Sequence, residues 1–425
     1  MNDYIYGIDF GTSNSAVTIL NQATNQLVSD PRISTVVPSL MYFPQAVDLR
    51  KRCVIGQEAI DGYIREGMAG RLLQAIKTVL SDPSFHGTYI NGNLYQIEDL
   101  ASMIIRFLKG KADTVTGQDV KRAVFGRPVI FNSDPVRDQL AEDRLMAAAR
   151  ASGFTEIHFQ YEPIAAALTY EATLTKPEIV LVGDFGGGTS DFTIMRLSPE
   201  ASHKLDRDSD ILATGGIDIA GNKFDSQIMW DKITPLLGRT ATYKDYMSTQ
   251  VLPAANWAHN DICRWENFPY LAADQRIMAV LEKMVQRSDN PAGFKMMIEL
   301  INQNLGFALF QEIEHGKIEL STKGGSMIRF QKPRIDLQAG LNRAGFTELA
   351  SVILGKLSDT ISQTIKDAGL TDDQIDAVFL TGGTSQSFAV RRIFTQRFGE
   401  ERLRSLDNFL SVSRGLALSA PLFFG

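Results

Sequence analysis

The clearest pattern of hydrophobic and polar positions along the chain lies between residues 179 and 197. Residues 179–182 form an apolar run rich in β-branched side chains, which predicts a buried strand. The run ends at Asp184, and three consecutive glycines follow at 186–188. Beyond them, apolar residues at 192, 194 and 197 alternate with polar ones, which is typical of a second hairpin strand. The segment is therefore predicted to be strand, glycine turn, strand.

A glycine turn of this kind is suited to binding phosphate. Glycine tolerates φ > 0 and has no Cβ to keep a ligand away from the backbone. Successive N–H groups in such a turn can converge on one anion. Asp184 and Asp191 flank the turn, and carboxylates beside a phosphate normally require a divalent cation between them. The simpler alternative is a hairpin with a flexible tip.

The same pattern occurs near the N-terminus. Residues 9–19 (DFGTSNSAVTI) align without gaps to residues 184–194 (DFGGGTSDFTI), an offset of 175 positions, from 9 to 184. Six of the eleven aligned positions are identical, among them Asp9 with Asp184 and Gly11 with Gly186. An internal repeat at this spacing predicts two similar halves that bind one phosphate tail between their turns.

The pattern elsewhere predicts mixed helices and strands. Glu162 stands where a short strand meets a helix, and Lys77 lies on a predicted helix. By themselves, the bland interpretations are a carboxylate favoured by the helix dipole and a solvated surface lysine. The predicted helices are 72–80, 97–108, 137–151, 162–171, a single long helix at 292–321, and 412–418; the predicted strands include 5–10, 157–159 and 376–380, the last leading into a third glycine turn at 381–387.

Composition narrows the class of protein. A chain of 425 residues is long enough for two domains, and a net charge of −6 argues against nucleic acid as the main ligand. The sequence contains no run of about 18 apolar residues, so no membrane span is predicted. The N-terminus has no signal-peptide pattern, and the two cysteines fit no metal or redox spacing. We therefore expect a cytoplasmic protein without nucleic-acid or membrane partners.

Common catalytic motifs are missing from the sequence. It contains no GK[ST], so a P-loop is excluded as the phosphate site, and no GxGxxG after a strand, so a dinucleotide fold is not expected. HExxH and GxSxG are also absent, which removes the most frequent metalloprotease and serine hydrolase classes. The paired glycine turns are therefore the best candidate for a phosphate site.

Taken together, these segments resemble the nucleotide-binding domain of the 70-kDa heat-shock chaperones, within the actin-like ATPase superfamily. GIDFGTSNSAV and GDFGGGTSDFTI are similar to its two phosphate loops, YEPIAAALTYE to its connecting segment, IEHGKIELS to its adenosine-binding helix and FLTGGTSQS to its adenosine loop. The resemblance implies an α/β protein with the actin-like ATPase fold: two lobes, each with a duplicated ribonuclease-H-like βαβ core, and nucleotide in the cleft between them. Lobe I would span 1–182 with a small inserted subdomain at about 36–110. Lobe II would span 183–425, with an enlarged helical subdomain at about 225–322 and a C-terminal helix returning toward lobe I.

The resemblance also implies a role for each site residue. Lys77, Glu162, Asp191 and Thr189 would be catalytic, with Lys77 against the γ-phosphate of ATP and Glu162 orienting the attacking water. Asp9, Asp184 and Asp191 would hold Mg²⁺, largely through water. The residues implied to bind ATP or ADP are Gly11, Thr12, Ser13, Asn14, Gly186, Gly187, Gly188, Thr189, Gly221, Glu314, Lys317, Ser321, Gly382, Gly383 and Thr384.

The chain departs from the family pattern in several ways. Ile318 and Gln386 stand where arginines are expected at the adenine, which implies weak discrimination between bases. The enlarged subdomain contains all three tryptophans, which are expected to fill its core more often than to bind a partner. No segment resembling a peptide-binding domain follows.

We therefore expect a short, chaperone-like, Mg²⁺-dependent and slow ATPase with possible cochaperones on the enlarged subdomain. The alternatives are a non-catalytic nucleotide-sensing interaction module and, less favoured, a sugar-kinase-type phosphotransferase.

Overall fold

A computed structural model describes residues 3–45, 53–67, 69–201, 204, 206–244, 250–254, 256–404 and 410–425. The chain divides into two compact units. The first unit comprises residues 1–218, 358–385 and 394–425, and the second comprises 219–357 and 386–393. Both predicted phosphate turns belong to the first unit. The predicted lobe boundary at residue 182 stays a prediction.

The first unit contains a mixed sheet built around the N-terminal hairpin. In spatial order its strands are β11 (Glu156–Tyr161), β10 (Arg122–Arg127), β1 (Tyr4–Asp9), β2 (Asn14–Asn21) and β3 (Gln26–Leu27), with β4 (Val37–Pro38) also paired to β2. The β1–β2 and β2–β3 pairs are antiparallel, whereas β1–β10 and β10–β11 are parallel. The parallel strands bring the ends of β1 and β10 to the same edge of the sheet.

A second sheet in the same unit repeats this arrangement. Its order is β20 (Leu403–Arg404), β19 (Ala377–Thr381), β12 (Glu178–Phe185), β13 (Ser190–Leu197) and β14 (Ile211–Ile217), with the same parallel and antiparallel pairs. The hairpin registers also correspond. Asp9 pairs with Ala16 in the first hairpin and Asp184 pairs with Asp191 in the second, and each residue of the second pair lies 175 positions after its counterpart in the first. The repeat seen in the sequence is therefore a repeat of topology and register.

Several helices in the described part of the first unit pack on its sheets. α4 (Glu162–Glu171) packs Ala165 and Ala166 into the apolar cluster of the first sheet, and Ile164 and Ala167 into that of the second. α14 (Ser411–Phe424) packs on α4 and on β1. α2 (Ile97–Thr116) and α3 (Pro135–Ala151) cover the remaining face of the first sheet. Consequently the helix that begins at Glu162 is held by both halves of the repeat.

Smaller elements complete the first unit. Between β4 and α2, the described residues include two small antiparallel sheets and one helix. One sheet contains β5 (Met41–Phe43), β6 (Val54–Ile55) and β7 (Arg71–Leu73), the other contains β8 (Gly87–Ile90) and β9 (Asn93–Gln96), and the helix is α1 (Gln57–Arg65). In place of the α-helix predicted at 72–80, the structure has the end of β7 and a single 3₁₀ turn, Ile76–Val79. The short apolar run allowed either interpretation, and Ala75 in the left-handed region (φ 56°) starts the tighter turn.

The second unit is mainly helical. Its elements are α5 (Gly221–Ile228), a π-helical turn (Met229–Ile233), β15 (Thr242–Lys244), β16 (Val251–Pro253), α6 (Trp257–Asp261), α7 (Phe268–Ala273), α8 (Gln275–Arg287), α9 (Pro291–Asn302), α10 (Gly306–Thr322), the hairpin β17 (Gly325–Lys332) and β18 (Ile335–Asn342), and α11 (Arg343–Leu349). Two further helices run from one unit into the other along the chain, α12 (Ser351–Asp367) and α13 (Phe388–Phe398).

The long helix predicted at 292–321 is wrong, because the structure has α9 and α10 there. Asn304 adopts the left-handed conformation (φ 51°), and Leu305 N donates to Leu300 O at 2.9 Å. This geometry ends α9, since asparagine tolerates the left-handed region that a terminating turn needs. The helix predicted at 412–418 is longer in the structure, because α14 continues to Phe424.

Candidate functional site

The first phosphate turn links β1 to β2 and begins directly after Asp9. Gly11 N donates to Ser15 Oγ at 3.2 Å, and Ser39 Oγ donates to Gly11 O at 2.7 Å. The two serine hydroxyls lie 2.8 Å apart and are buried. These buried hydroxyls fix the backbone of the turn. Thr12 and Ser13 are at least partly accessible at its surface.

The second phosphate turn, residues 186–189, links β12 to β13. Gly186 N donates to Thr189 O at 3.0 Å, and Thr189 Oγ1 donates to Asp191 Oδ2 at 3.1 Å. Gly186 and Gly188 do not use the positive φ that glycine permits. A Cβ on Gly188 would meet no atom within 4 Å, and one on Gly186 would meet none closer than 3.5 Å. Since neither conformation nor packing requires glycine here, the open space fits close approach of a ligand to the backbone.

Lys77 and Glu162 are brought together although they are 85 positions apart in the chain. Lys77 Nζ lies 2.6 Å from Glu162 Oε1, and both side chains are about nine-tenths buried, with 11% and 10% exposed. Lys77 is placed by the 3₁₀ turn and Glu162 by the first turn of α4, where the helix dipole favours a carboxylate. In a buried ion pair of this kind, each side chain restricts the orientation of the other.

Gly126, near the end of β10, leaves the space that Glu162 occupies. A Cβ at this position would lie 2.9 Å from Glu162 Cγ and 3.3 Å from Glu162 Oε1. It would also lie 3.1 Å from Leu416 Cδ1 on α14. The sequence shows only a glycine inside a strand, a position that often marks close approach of another group. The role of Gly126 therefore became visible only in three dimensions.

The predicted metal and catalytic carboxylates form one electrostatic cluster in the first unit. Burial raises the pKa of Asp9 to about 8, with Glu162 and Asp184 adding to the rise and Lys77 opposing it. The pKa values of Glu162 and Asp191 are also raised, mainly by loss of hydration, with Asp184 contributing to both. Lys77 keeps a raised pKa in spite of its burial, because Glu162 and Asp9 stabilise its charged form. Four acidic side chains, Asp9, Glu162, Asp184 and Asp191, thus surround the one lysine described here, Lys77.

Carboxylates with raised pKa values fit a site that holds a divalent cation when loaded, since such a charge would offset their repulsion. In the described part of the chain, no three acidic, histidine or cysteine side chains are grouped closely enough to bind an ion directly. Mg²⁺ retains much of its hydration and often contacts carboxylates through water. The geometry of Asp9, Asp184 and Asp191 is compatible with that mode, and their role as Mg²⁺ ligands stays a prediction.

The third glycine turn, predicted to face the nucleoside, is attached to the second phosphate turn. Thr381 Oγ1 donates to Asp184 Oδ1 at 2.8 Å, and Thr384 Oγ1 donates to Gly186 O at 3.0 Å. Gly382 has φ 80°, and a Cβ there would lie 2.1 Å from Phe185 O. The turn thus supports the backbone and carboxylate of the phosphate side, a role that the sequence did not reveal for Thr381.

The other predicted nucleoside residues belong to the second unit. Lys317 Nζ donates to Asp225 Oδ2 at 2.8 Å and lies 3.4 Å from Gly221 O. Glu314 is half-buried on the same helix, and Ser321 is also half-buried near its end. Burial raises the pKa of Asp225 to about 6, with Lys317 opposing the rise and Glu314 adding to it. The structure thus groups Gly221 and Lys317 around Asp225, which the sequence did not single out.

Comparison with known proteins identifies the family of the chain. The family model described as Hsp70 protein matches residues 5–234 and 291–425. The chain belongs to the Hsp70 family. Membership confirms the predicted resemblance and the α/β actin-like ATPase fold, whose repeated core is the pair of sheets in the first unit.

Individual relatives of this Hsp70-family chain are more distant. It is 26% identical over 442 residues to the chaperone protein DnaK of one strain of Thermus thermophilus, and equally to that of a second strain of the same organism. Each comparison covers 99% of this chain and 61% of the relative. The chain therefore spans about three-fifths of the length of the curated relatives that it matches.

Residues 235–290 are not matched by the Hsp70 family model and lie in the second unit. Trp265 packs edge-to-face on Phe307 at 4.9 Å, whereas Trp257 is 43% exposed. The expectation that all three tryptophans fill the core is therefore wrong for Trp257. None of the helices in the described part of the chain has the length and apolar character that a bilayer crossing requires.

Proposed function

We propose that this Hsp70-family chain is an Mg²⁺-dependent ATP-binding protein that hydrolyses ATP slowly, in a chaperone-like cycle. The single observation that carries the proposal is the charge cluster of the first unit. Two turns of equal register present Asp9 and Asp184 next to the paired Lys77 and Glu162. A triphosphate with its cation is the ligand whose charges match this combination of acidic groups and a lysine beside an uncrowded glycine turn.

In the proposed reaction, Asp9, Asp184 and Asp191 would hold Mg²⁺, which would neutralise charge on the phosphate tail. Lys77 places positive charge near the transferring phosphoryl group, since preorganised charge is a large term in this chemistry. Glu162 orients water, with α4 fixing its position between both sheets. The residues proposed to bind the nucleoside are Glu314, Lys317, Ser321, Gly221, Gly382 and Gly383.

The first test is nucleotide binding. Because ligand that binds only the folded state stabilises it, Mg-ADP or Mg-ATP at about 100 times Kd should add roughly 2.7 kcal/mol to the free energy of unfolding. Thermal melts with and without Mg²⁺, supported by calorimetry, measure this effect. A melt that does not move in millimolar nucleotide, together with a silent calorimetric titration, would overturn the assignment.

The second test separates hydrolysis from binding. Lys77→Ala should lower the turnover of ATP by about 10²-fold, the size expected when a preorganised stabilising group is lost. It should leave ADP affinity nearly unchanged, since ADP has no γ-phosphate. Lys176→Ala is the matched control, because Lys176 is exposed on the same unit. Equal turnover in the wild type and Lys77→Ala would contradict the enzyme function.

A non-catalytic nucleotide-sensing interaction module is the second candidate. The observation favouring it is the segment 235–290, which lies outside the family match and exposes 43% of Trp257 and 74% of Tyr270. Exposed aromatic side chains are enriched where proteins bind partners. Cochaperones or other protein partners of this surface belong to the same proposal. Nucleotide binding without turnover above the Lys77→Ala control would favour this candidate.

A further inference from the structure

The two sheets of the first unit differ at one equivalent position beside their aspartates. In the second sheet, Asp184 is the parallel-strand neighbour of Thr381. In the first sheet, the parallel strands β1 and β10 are paired as far as Ile8 and Phe125. Continuing that register by one residue places Gly126 beside Asp9. Gly126 leaves room for Glu162, whereas Thr381 supplies a hydroxyl to its aspartate. The two copies of the repeat therefore have different residues, with different contacts, at the equivalent position.

The contact of Thr381 with Asp184 is well built. Thr381 is 3% exposed, and its Oγ1 donates to Asp184 Oδ1 at 2.8 Å across 197 positions of sequence. The residues that follow hold the same region, since Gly382 packs against Phe185 O and Thr384 Oγ1 bonds to Gly186 O at 3.0 Å. One turn therefore fixes both the carboxylate and the backbone on that side.

We propose that Thr381 is a positioning residue for Mg²⁺ binding: its hydroxyl orients Asp184, and Asp184 meets the metal. The inference rests on the proposed nucleotide function. A donor to one carboxylate oxygen fixes the rotamer of the group, while the other oxygen stays available. Partners of this kind typically change metal affinity by about 10–100-fold. Among crowded carboxylates, the hydroxyl therefore holds Asp184 in one orientation.

The test uses Thr381→Val, which keeps the shape of the side chain and removes the hydroxyl. Calorimetry of ADP binding, with Mg²⁺ and with EDTA, gives the factor by which Mg²⁺ tightens binding. We expect that factor to fall by about tenfold in Thr381→Val, with ADP affinity in EDTA unchanged. Thr381→Ser, which keeps the hydroxyl, should restore the wild-type factor.

Two further variants make the result specific. Thr18→Val removes a buried threonine hydroxyl that contacts Ser413 Oγ at 2.9 Å, and it should leave the Mg²⁺ factor unchanged. In an Asp184→Asn background, Thr381→Val should add no further loss, because the group that it positions is already changed. If Thr381→Val fails to fold, Thr381→Ala carries the same expectation.

The outcomes separate this inference from the proposed function. A wild-type Mg²⁺ factor in folded Thr381→Val overturns the positioning role and leaves the function standing. An equal loss of ADP affinity in Mg²⁺ and in EDTA also overturns it, because the effect would then be on the fold. Wild-type protein that binds no nucleotide under either condition overturns the function, and the inference with it.

Discussion

Gly126 shows how one missing side chain can place a functional carboxylate. The Glu162 side chain passes so close to this strand that even a methyl group would displace it. The same methyl group would also press on Leu416 of α14, though at a slightly longer distance. The position of Glu162 next to Lys77 therefore depends on a residue that takes no part in the chemistry.

We predict that Gly126→Ala lowers ATP turnover by between about tenfold and about a hundredfold, because small misplacements of a reacting group have effects of that size. Steady-state kinetics measures the loss, and ADP affinity should stay near that of the wild type. In a Glu162→Ala background the substitution should have little further effect on turnover, since the clashing atoms are gone. An undiminished loss there would show that Gly126 acts through α14 instead.

The Asp225–Lys317 pair predicts a pH dependence for the second unit. Burial raises the folded-state pKa of Asp225 to about 6, above the value of about 3.9 in unfolded chains. The folded state thus binds this proton more tightly, so the contribution of Asp225 to stability falls as pH rises from about 4 to about 6. Above that window both states are ionised and the difference is constant.

Asp225→Asn, which cannot titrate, should remove this slope. The free energy of unfolding of the wild type relative to Asp225→Asn should decline by up to about 3 kcal/mol between pH 4 and 7. Urea unfolding followed by tryptophan fluorescence at several pH values gives the comparison. Parallel pH profiles for the two proteins would contradict the raised pKa, and Glu314→Gln should make the slope shallower.

At the scale of elements, the backbone of α14 packs very closely against α4 and β1. A Cβ on Gly415 would lie 1.8 Å from Ala165 O of α4, and one on Gly7 of β1 would lie 2.3 Å from Ser413 O. Glycines at both contacts let backbones approach one another directly. The strand that ends at Asp9 and the helix that begins at Glu162 are thereby fixed to the same third element.

Gly415→Ala should therefore destabilise the first unit by about 2 kcal/mol or more, because a packed backbone must shift to admit the methyl group. Gly110→Ala in α2 is the matched control: its Cβ would meet nothing within 4 Å, and alanine should stabilise the helix by up to about 1 kcal/mol. Denaturant unfolding of both variants provides the measurement. Equal stabilities would mean that α14 is loosely attached.

Elements with a strong local signal could be predicted from the sequence. The β12–β13 hairpin, α2 and α4 each have a pattern that only one secondary structure satisfies. The 3₁₀ turn under Lys77 and the break at Asn304 were missed because a few residues in an unusual backbone conformation decide them. Thr381, Gly126 and Asp225 were missed for another reason, since their partners lie far away in the chain and no local pattern reports such contacts.

At the scale of the whole molecule, the segment 235–290 is part of the second unit's core although the family model omits it. Phe268 is fully buried, and a Cβ on Gly306 would lie 2.5 Å from its ring. His259 packs edge-to-face on Phe294 at 5.8 Å. These contacts join the unmatched segment to α9 and α10, so we expect it to fold with them rather than as an appendage.

Phe268→Ala should accordingly lower the free energy of unfolding by about 3–5 kcal/mol, the usual effect of truncating a buried aromatic ring. Tyr270→Ala, two residues away on the same helix but 74% exposed, should change it by no more than about 0.5 kcal/mol. Unfolding curves of the two variants decide the matter. Similar, small effects would show that the segment is peripheral to the unit.

The shared register of the two hairpins also bears on the orientation in which a ligand would bind. Opposite Asp184 stands Asp191, whereas opposite Asp9 stands Ala16, so the two copies are alike in shape and unlike in charge. A repeat with identical copies would accept a ligand equally well in either of two opposite orientations. Here the surplus carboxylate on one copy breaks that equivalence, so the proposed ligand, a phosphate chain with its cation, would bind with a preferred polarity. In the proposed function the second hairpin would supply two of the three metal carboxylates, Asp184 and Asp191, and the first would supply Asp9 alone.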